Sequence, residues 1–223
     1  MRILGLSFGF HDAGACMLQD EVIEFAGHSE RYSKQKNDPW INHELVGAAI
    51  EGGKPDVIVL HEKAWLKKFR NIYAGNWNAL REPTQRQWIK KFYPELKDIP
   101  IKDYLHHETH AAAGVLSSNF DECAVMVIDA IGEFDTATIW KWEEGTLKKM
   151  HKTSFPSSLG LFYSAVTQHV GLKPMEDEYI LMGMAAYGKP ENWKPLSKQM
   201  GYKFFRMKHP WMSHRRTIQC KIN

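Results

Sequence analysis

An α/β fold built on a duplicated three-stranded meander is what these 223 residues predict, and three observations carry that reading. Residues 2–8, 14–18 and 22–26 read as strands separated by glycine-bearing and polar turns, and the same order returns at 124–129, 136–142 and 146–150. In each copy an acid-bearing turn joins the first two strands: Gly9-Phe10-His11-Asp12 in one, Gly132-Glu133-Phe134-Asp135 in the other. Between the copies, helix and strand alternate, which argues for an α/β unit rather than an all-β one.

The elements follow in order. Gln19-Asp20-Glu21 turns the second strand into the third. An amphipathic helix over 42–51 ends at Gly52-Gly53 and leads into a buried-type strand at 57–60. Residues 64–97 read as a helical insertion, rich in lysine and aromatics (Trp65, Phe69, Tyr73, Trp77, Trp88, Phe92, Tyr93), lying over the site or forming a partner surface. Aromatics at this spacing are expected in a core rather than as a base-stacking platform. After the second meander come helices over 157–170 and 178–186. A full repeat still owes a strand and a helix, so the second half reads as incomplete. The domain reading is 1–120 with the insertion at about 64–97, then 121–192 as a truncated second half, then a basic end at 193–223.

Composition bounds the function. With 43% hydrophobic and 25% charged residues the chain matches soluble globular proteins. No apolar run of about 18 residues and no signal-peptide pattern are present, so the expectation is a cytoplasmic protein without a membrane partner. Cys16, Cys123 and Cys220 are odd in number and widely spaced, which gives neither a disulfide framework nor a thiolate zinc site. Residues 193–223 hold eight of the 29 basic residues and no acid, leaving −5 on the remainder. With Phe204, Phe205 and Trp211 interleaved, that end could grip nucleic acid; a solvated end is the favoured reading, because no nucleic-acid motif accompanies the charge.

The sharpest chemical pattern is His106-His107-Glu108-Thr109-His110 running into three alanines. Residues four apart on a helix share a face, so His106 and His110 can offer two imidazoles to one metal ion while His107 points elsewhere. Surface histidines are the competing account. Asp129 closes an apolar strand, where a carboxylate is costly without a cation, and it supplies a natural third ligand; a turn-initiating Asp remains the alternative. His11-Asp12 sits in the matching turn of the first meander, and imidazole beside carboxylate can orient a nucleophile or take its proton. Glu30 to Asp38 places Arg31, Lys34 and Lys36 within six residues, which suits a phosphate or another anion, against a solvated loop of mixed charge.

Taken together and in order, these stretches resemble the O-carbamoyltransferases that tailor antibiotics and nodulation factors. Residues 9–13 resemble that family's glycine-x-His-Asp-Ala turn, 30–38 its Glu-Arg-aromatic-Ser/Thr-basic-x-Lys segment, and 106–113 its His-His-x-x-His-Ala-Ala run. Residues 128–133 resemble its hydrophobic-Asp-Gly-x-Gly-Glu strand end, with Ala130 in place of the first glycine, and 156–163 and 178–188 match two further segments. The resemblance implies an actin-like ATPase (ribonuclease H-like) fold, a duplicated mixed sheet flanked by helices. It implies a carbamoyltransferase that moves a carbamoyl group from carbamoyl phosphate and ATP, as carbamoyl-adenylate, to a hydroxyl on a small-molecule acceptor. It carries over His106, His110 and Asp129 as ligands of a divalent metal, expected to be Fe(II). His11 and Asp12 become catalytic residues, while Arg31, Lys36, Gly132 and Glu133 bind the nucleotide or the transferring group. A second polypeptide carrying the missing C-terminal half is an expected partner. The alternatives are an inactive remnant or partner-binding module, and carbamoylation of a hydroxyl on a modified nucleic-acid base.

Overall fold

The computed structural model describes residues 1–189, so the basic end at 193–223 lies outside the described residues. The described residues form two compact units: Met1–Phe69 with Asn78–Thr109, and Arg70–Trp77 with the described residues from His110.

The first unit is built on a five-stranded mixed sheet. Its strands are β1 (Arg2–Ser7), β2 (Gly14–Gln19), β3 (Val22–His28), β4 (Val57–Leu60) and β5 (Ile101–Asp103), in the order β3-β2-β1-β4-β5. β1 pairs antiparallel with β2 and parallel with β4, so that Leu4 faces Met17 on one side and Ile58 on the other. Alternation along β1 sends Leu4, Leu6 and Phe8 to one face, where they are buried with Met17, Ile58 and Leu60. Four helices accompany the sheet: α1 (Glu30–Ser33), α2 (His43–Ile50), α3 (Ala64–Tyr73), whose second half belongs to the other unit, and α4 (Gln85–Phe92). Leu45, Val46 and Ala49 of α2 and Ile89 of α4 complete the core. Each fully buried Leu or Ile contributes roughly 1.5–3 kcal/mol.

Local chemistry starts and stops these elements. Asn42 caps α2 by accepting from the Leu45 amide at 2.8 Å, and Thr84 with Gln87 forms a capping box on α4. β5, three residues without an apolar pattern, is absent from the reading of the sequence alone. Pairing parallel to β4 in register, Ile58 opposite Ile101, makes it a strand. Its consequence is positional: β1, β4 and β5 run parallel, so the residues following β4 and β5 emerge at one edge of the sheet.

The second unit carries the recurring meander: β6 (Cys123–Ile128), β7 (Asp135–Glu143) and β8 (Thr146–Ser154), antiparallel in the order β6-β7-β8. Helix α5 (His106–Leu116) runs into it, and α6 (Leu159–His169) and α7 (Glu178–Ala185) follow the sheet. Ala111, Val127 and Trp140 form its small core, with the Trp140 Nε1 donating to Thr138 at 2.8 Å.

One expectation is overturned. Trp65, Phe69, Tyr73 and Trp77 are each at least 60% exposed rather than buried. They recur every four residues, Trp65, Phe69 and Tyr73 on α3 and Trp77 just beyond it, so helical spacing alone does not bury a face. Trp88 and Tyr93 do pack as core residues, Trp88 stacking on Trp40 at 4.2 Å. Among the described residues no helix is long and apolar enough to cross a membrane.

The Asn42 amide also donates to the Ser29 carbonyl at 3.3 Å, tying α2 to the turn after β3. Asn42→Ala is expected to lower stability by about 1 kcal/mol in urea denaturation, and Asn42→Asp, which keeps the capping oxygen, to recover most of that loss.

Candidate active site

α5 begins two residues after Tyr104 and is continuous to Leu116, so His106 and His110 stand one turn apart on the same face by helix pitch alone. His107 is 1% exposed and turned away into the interior. Asp129 is the residue after β6, half-buried, its amide donating to the Thr136 carbonyl at 3.0 Å. One ligand atom from each of His106, His110 and Asp129 lies within 4.8 Å of the others. Ligands around a tetrahedral ion with bonds near 2.1 Å sit roughly 3.4 Å apart, so small side-chain rotations close the set. Two imidazoles and a carboxylate suit a first-row divalent ion, with positions left open for substrate.

The backbone around Asp129 is held unusually closely. The Ala130 amide donates to the Asp129 Oδ1 at 2.6 Å, and the Ser158 hydroxyl, which also caps α6, reaches the carbonyl of Ala130 at 2.6 Å and that of Asp129 at 3.3 Å. Gly160 completes the contact. A Cβ there would lie 2.6 Å from Ala130 Cα and N and 2.8 Å from the Asp129 carbonyl carbon, all backbone atoms that cannot swing aside. Gly132 and Glu133 are buried in the same strand-end turn, the Gly132 amide donating to the Asp135 carbonyl at 2.9 Å. The guanidinium of buried Arg70 donates to the Gly132 carbonyl. Arg70 escaped the reading of the sequence, and Gly160 entered it only as part of the matched segment 156–163, without a role, since neither role has a local signature.

In the first unit the turn carrying His11 and Asp12 is pinned to the segment after α1. The Gly9 amide donates to the Pro39 carbonyl at 2.7 Å and the Ala13 amide to the Asp38 carbonyl at 2.8 Å. Two motifs far apart in sequence thereby meet at one place. His11 Nδ1 lies 2.8 Å from Asp12 Oδ2, and both side chains are open to solvent, so the pair is formed and accessible. Asp12 has φ +47°, a conformation that Asp tolerates better than most residues. Lys36 is exposed, and Arg31 is exposed with Glu30 at 3.8 Å.

The structure adds two residues that the sequence did not flag. His61 and Glu62 follow β4 directly, and with His106, after β5, they bring a second trio of ligand atoms within 4.8 Å. Thr109 links them, its hydroxyl within 2.7 Å of the His106 carbonyl and 3.4 Å of the His61 carbonyl. Burial pushes the His61 imidazole down to about 4, with His106 and Lys67 adding to the effect and Glu62 opposing it. The ring is therefore neutral at pH 7, the form that ligates metals. Adjacency of His61 and Glu62 was the available signal, but only the β4–β5 pairing brings His106 to them.

The comparisons with known proteins agree with the resemblance. A family model described as Carbamoyltransferase N-terminus matches residues 2–222. An uncharacterized protein of Synechocystis is 34% identical over 216 residues, 85% of this chain and 35% of that protein. Nodulation protein NolO of Bradyrhizobium diazoefficiens is 35% identical over 96 residues, 42% of this chain and 17% of that protein. Nodulation protein NolNO of Sinorhizobium fredii is 29% identical over 201 residues, 85% of this chain and 29% of that protein. The chain thus spans about a third or less of the length of these relatives.

Gly160→Ala must displace α6 or the Asp129-Ala130 backbone. It is expected to cost about 1–3 kcal/mol in chemical denaturation and to weaken divalent-metal binding in a calorimetric titration, although residue 160 touches no metal. His61 yields a pH prediction for metal-free protein. A folded value near 4 against 6.5 unfolded means that the unfolded chain binds more protons between those limits. The His61 contribution is whole above about pH 6.5 and falls away as pH drops to about 4, by on the order of 2 kcal/mol after solvent screening of a half-buried ring. His61→Gln should flatten that segment of the stability profile relative to wild type.

Proposed function

Because the chain belongs to the carbamoyltransferase N-terminal family, we propose that it forms the amino-terminal part of an enzyme that transfers a carbamoyl group to a substrate hydroxyl. The observation that carries this reading is the approach of His106, His110 and Asp129 to one another, the three positions that the resemblance to O-carbamoyltransferases marks as ligands. In our reading the donor is carbamoyl phosphate, activated with ATP as carbamoyl-adenylate, and the acceptor is a hydroxylated small molecule.

The residues of this chain divide the work. His106 and His110 from α5 and Asp129 from the β6 tip would hold a divalent ion, for which we favour Fe(II). When bound, such an ion polarises a carbamoyl carbonyl and lowers the energy of the oxyanion that develops on it. The exposed His11, oriented by its 2.8 Å contact with Asp12, is placed to accept the proton of an incoming hydroxyl at its ring nitrogen. Asp12 steadies the resulting imidazolium. Lys36 and Arg31, accessible on the segment laced to that turn, offer positive charge to phosphate. Gly132 and Glu133, buried beside Asp129, shape the nucleotide end of the site. The carbonyl held by Arg70 keeps that turn closed.

Asp129→Asn and His110→Ala are each expected to lower Fe(II) occupancy at least tenfold after anaerobic reconstitution and to abolish transfer of radiolabelled carbamoyl from carbamoyl phosphate and ATP to polyhydroxylated acceptors. His11→Ala should spare metal content and depress transfer alone. A wild-type protein that takes up no divalent ion under these conditions refutes the proposal.

A further inference from the structure

The edge of the first unit's sheet where β4 and β5 end carries a ligand cluster of which the carbamoyltransferase reading uses only His106. His61 and Glu62 are the two residues after β4, and His106 opens α5 two residues after Tyr104. The imidazoles of His61 and His106 face each other edge to face with centroids 5.4 Å apart. Glu62 is 7% exposed, and a ligand atom from each of the three lies within 4.8 Å of the others. Nδ1 of His61 is enclosed and has no hydrogen-bond partner, a cost of roughly 1–3 kcal/mol unless something occupies it. Thr109 fixes the two histidine backbones to each other.

We propose that His61, Glu62 and His106 form a second position for a divalent first-row transition metal, alternative to the one formed by His106, His110 and Asp129. Two neutral imidazoles and a carboxylate are a borderline N2O donor set, which favours zinc-, iron- or cobalt-like ions over magnesium or calcium. A single imidazole binds two cations only after losing its last ring proton, so at neutral pH the shared His106 serves one position at a time. Occupancy of the two positions is competitive, and the chain holds one ion rather than two.

Glu62 already has a cation. Lys67 Nζ lies 2.8 Å from its Oε1, and the Gln85 amide reaches the same oxygen at 3.2 Å. A buried carboxylate needs a positive partner, and Lys67 supplies it in the metal-free protein. A metal ion at this position competes with the ammonium group for Glu62, so removing Lys67 strengthens metal binding. A purely structural Lys67–Glu62 pair predicts no such gain.

Cobalt(II) titration of the chain, followed by visible absorption and calorimetry, tests the site. The variant His110→Ala/Asp129→Asn is expected to bind one Co(II), to lose that binding when His61→Gln is added, and to bind at least tenfold more tightly when Lys67→Met is added instead. Should His61→Gln fail to fold by circular dichroism, Glu62→Gln carries the same comparison. No Co(II) binding by His110→Ala/Asp129→Asn, or binding indifferent to both His61→Gln and Glu62→Gln, overturns the proposal. So does uptake of two equivalents by wild type. In the first two cases wild type that still binds Co(II) through His110 and Asp129 leaves the carbamoyltransferase reading standing.

Discussion

A carboxylate at the end of an apolar strand is stable only where its surroundings are built to receive it, and everything about the second unit's strand-end turn serves that purpose. Asp129 stands beyond Val127 and Ile128, where desolvation without a partner would be costly. Its side chain accepts from the next amide, Ser158 grips its carbonyl and the one after it, and Gly160 lets α6 approach until a methyl group would collide with backbone. These contacts leave the carboxylate little freedom of position. One ligand atom of Asp129 lies within 4.8 Å of one from each of His106 and His110.

The same economy runs through the first unit. β1 is central to the sheet because it pairs on both edges, and its apolar side chains anchor the core on which α2 and α4 close. The strands that run parallel to it deliver polar residues to one edge: His61 and Glu62 after β4, His106 after β5. Parallel strand ends collect functional groups because every chain leaves the sheet there at once. The laced turn of His11 and Asp12 applies the idea to an antiparallel pair, with backbone bonds to Asp38 and Pro39 bringing a basic segment alongside.

His106 belongs to both ligand sets, and that is the chemically distinctive feature of the chain. A histidine shared between alternative partners couples them: whatever draws it toward His61 and Glu62 withdraws it from His110 and Asp129. Lys67 enters that balance by neutralising Glu62. The proposed function draws on one of the sets, and the chain spans about a third of the length of the Synechocystis relative.

Much was legible in the sequence because it depends on short-range regularity. Strand alternation and polar turns marked both meanders, a four-residue interval on a helix marked His106 and His110, and an acid ending an apolar strand marked Asp129. Each is a property of neighbours along the chain, which the backbone period alone converts into a shared face or a strand tip. Tertiary structure decided the rest. β5 exists because β4 offers it hydrogen bonds, His61 becomes a ligand candidate because that pairing sets it beside His106, and Gly160 matters because of a backbone thirty residues away. The exposed aromatics of α3 make the same point in reverse. A helical stripe states which side chains share a face, and only the placement of other elements determines whether that face is covered.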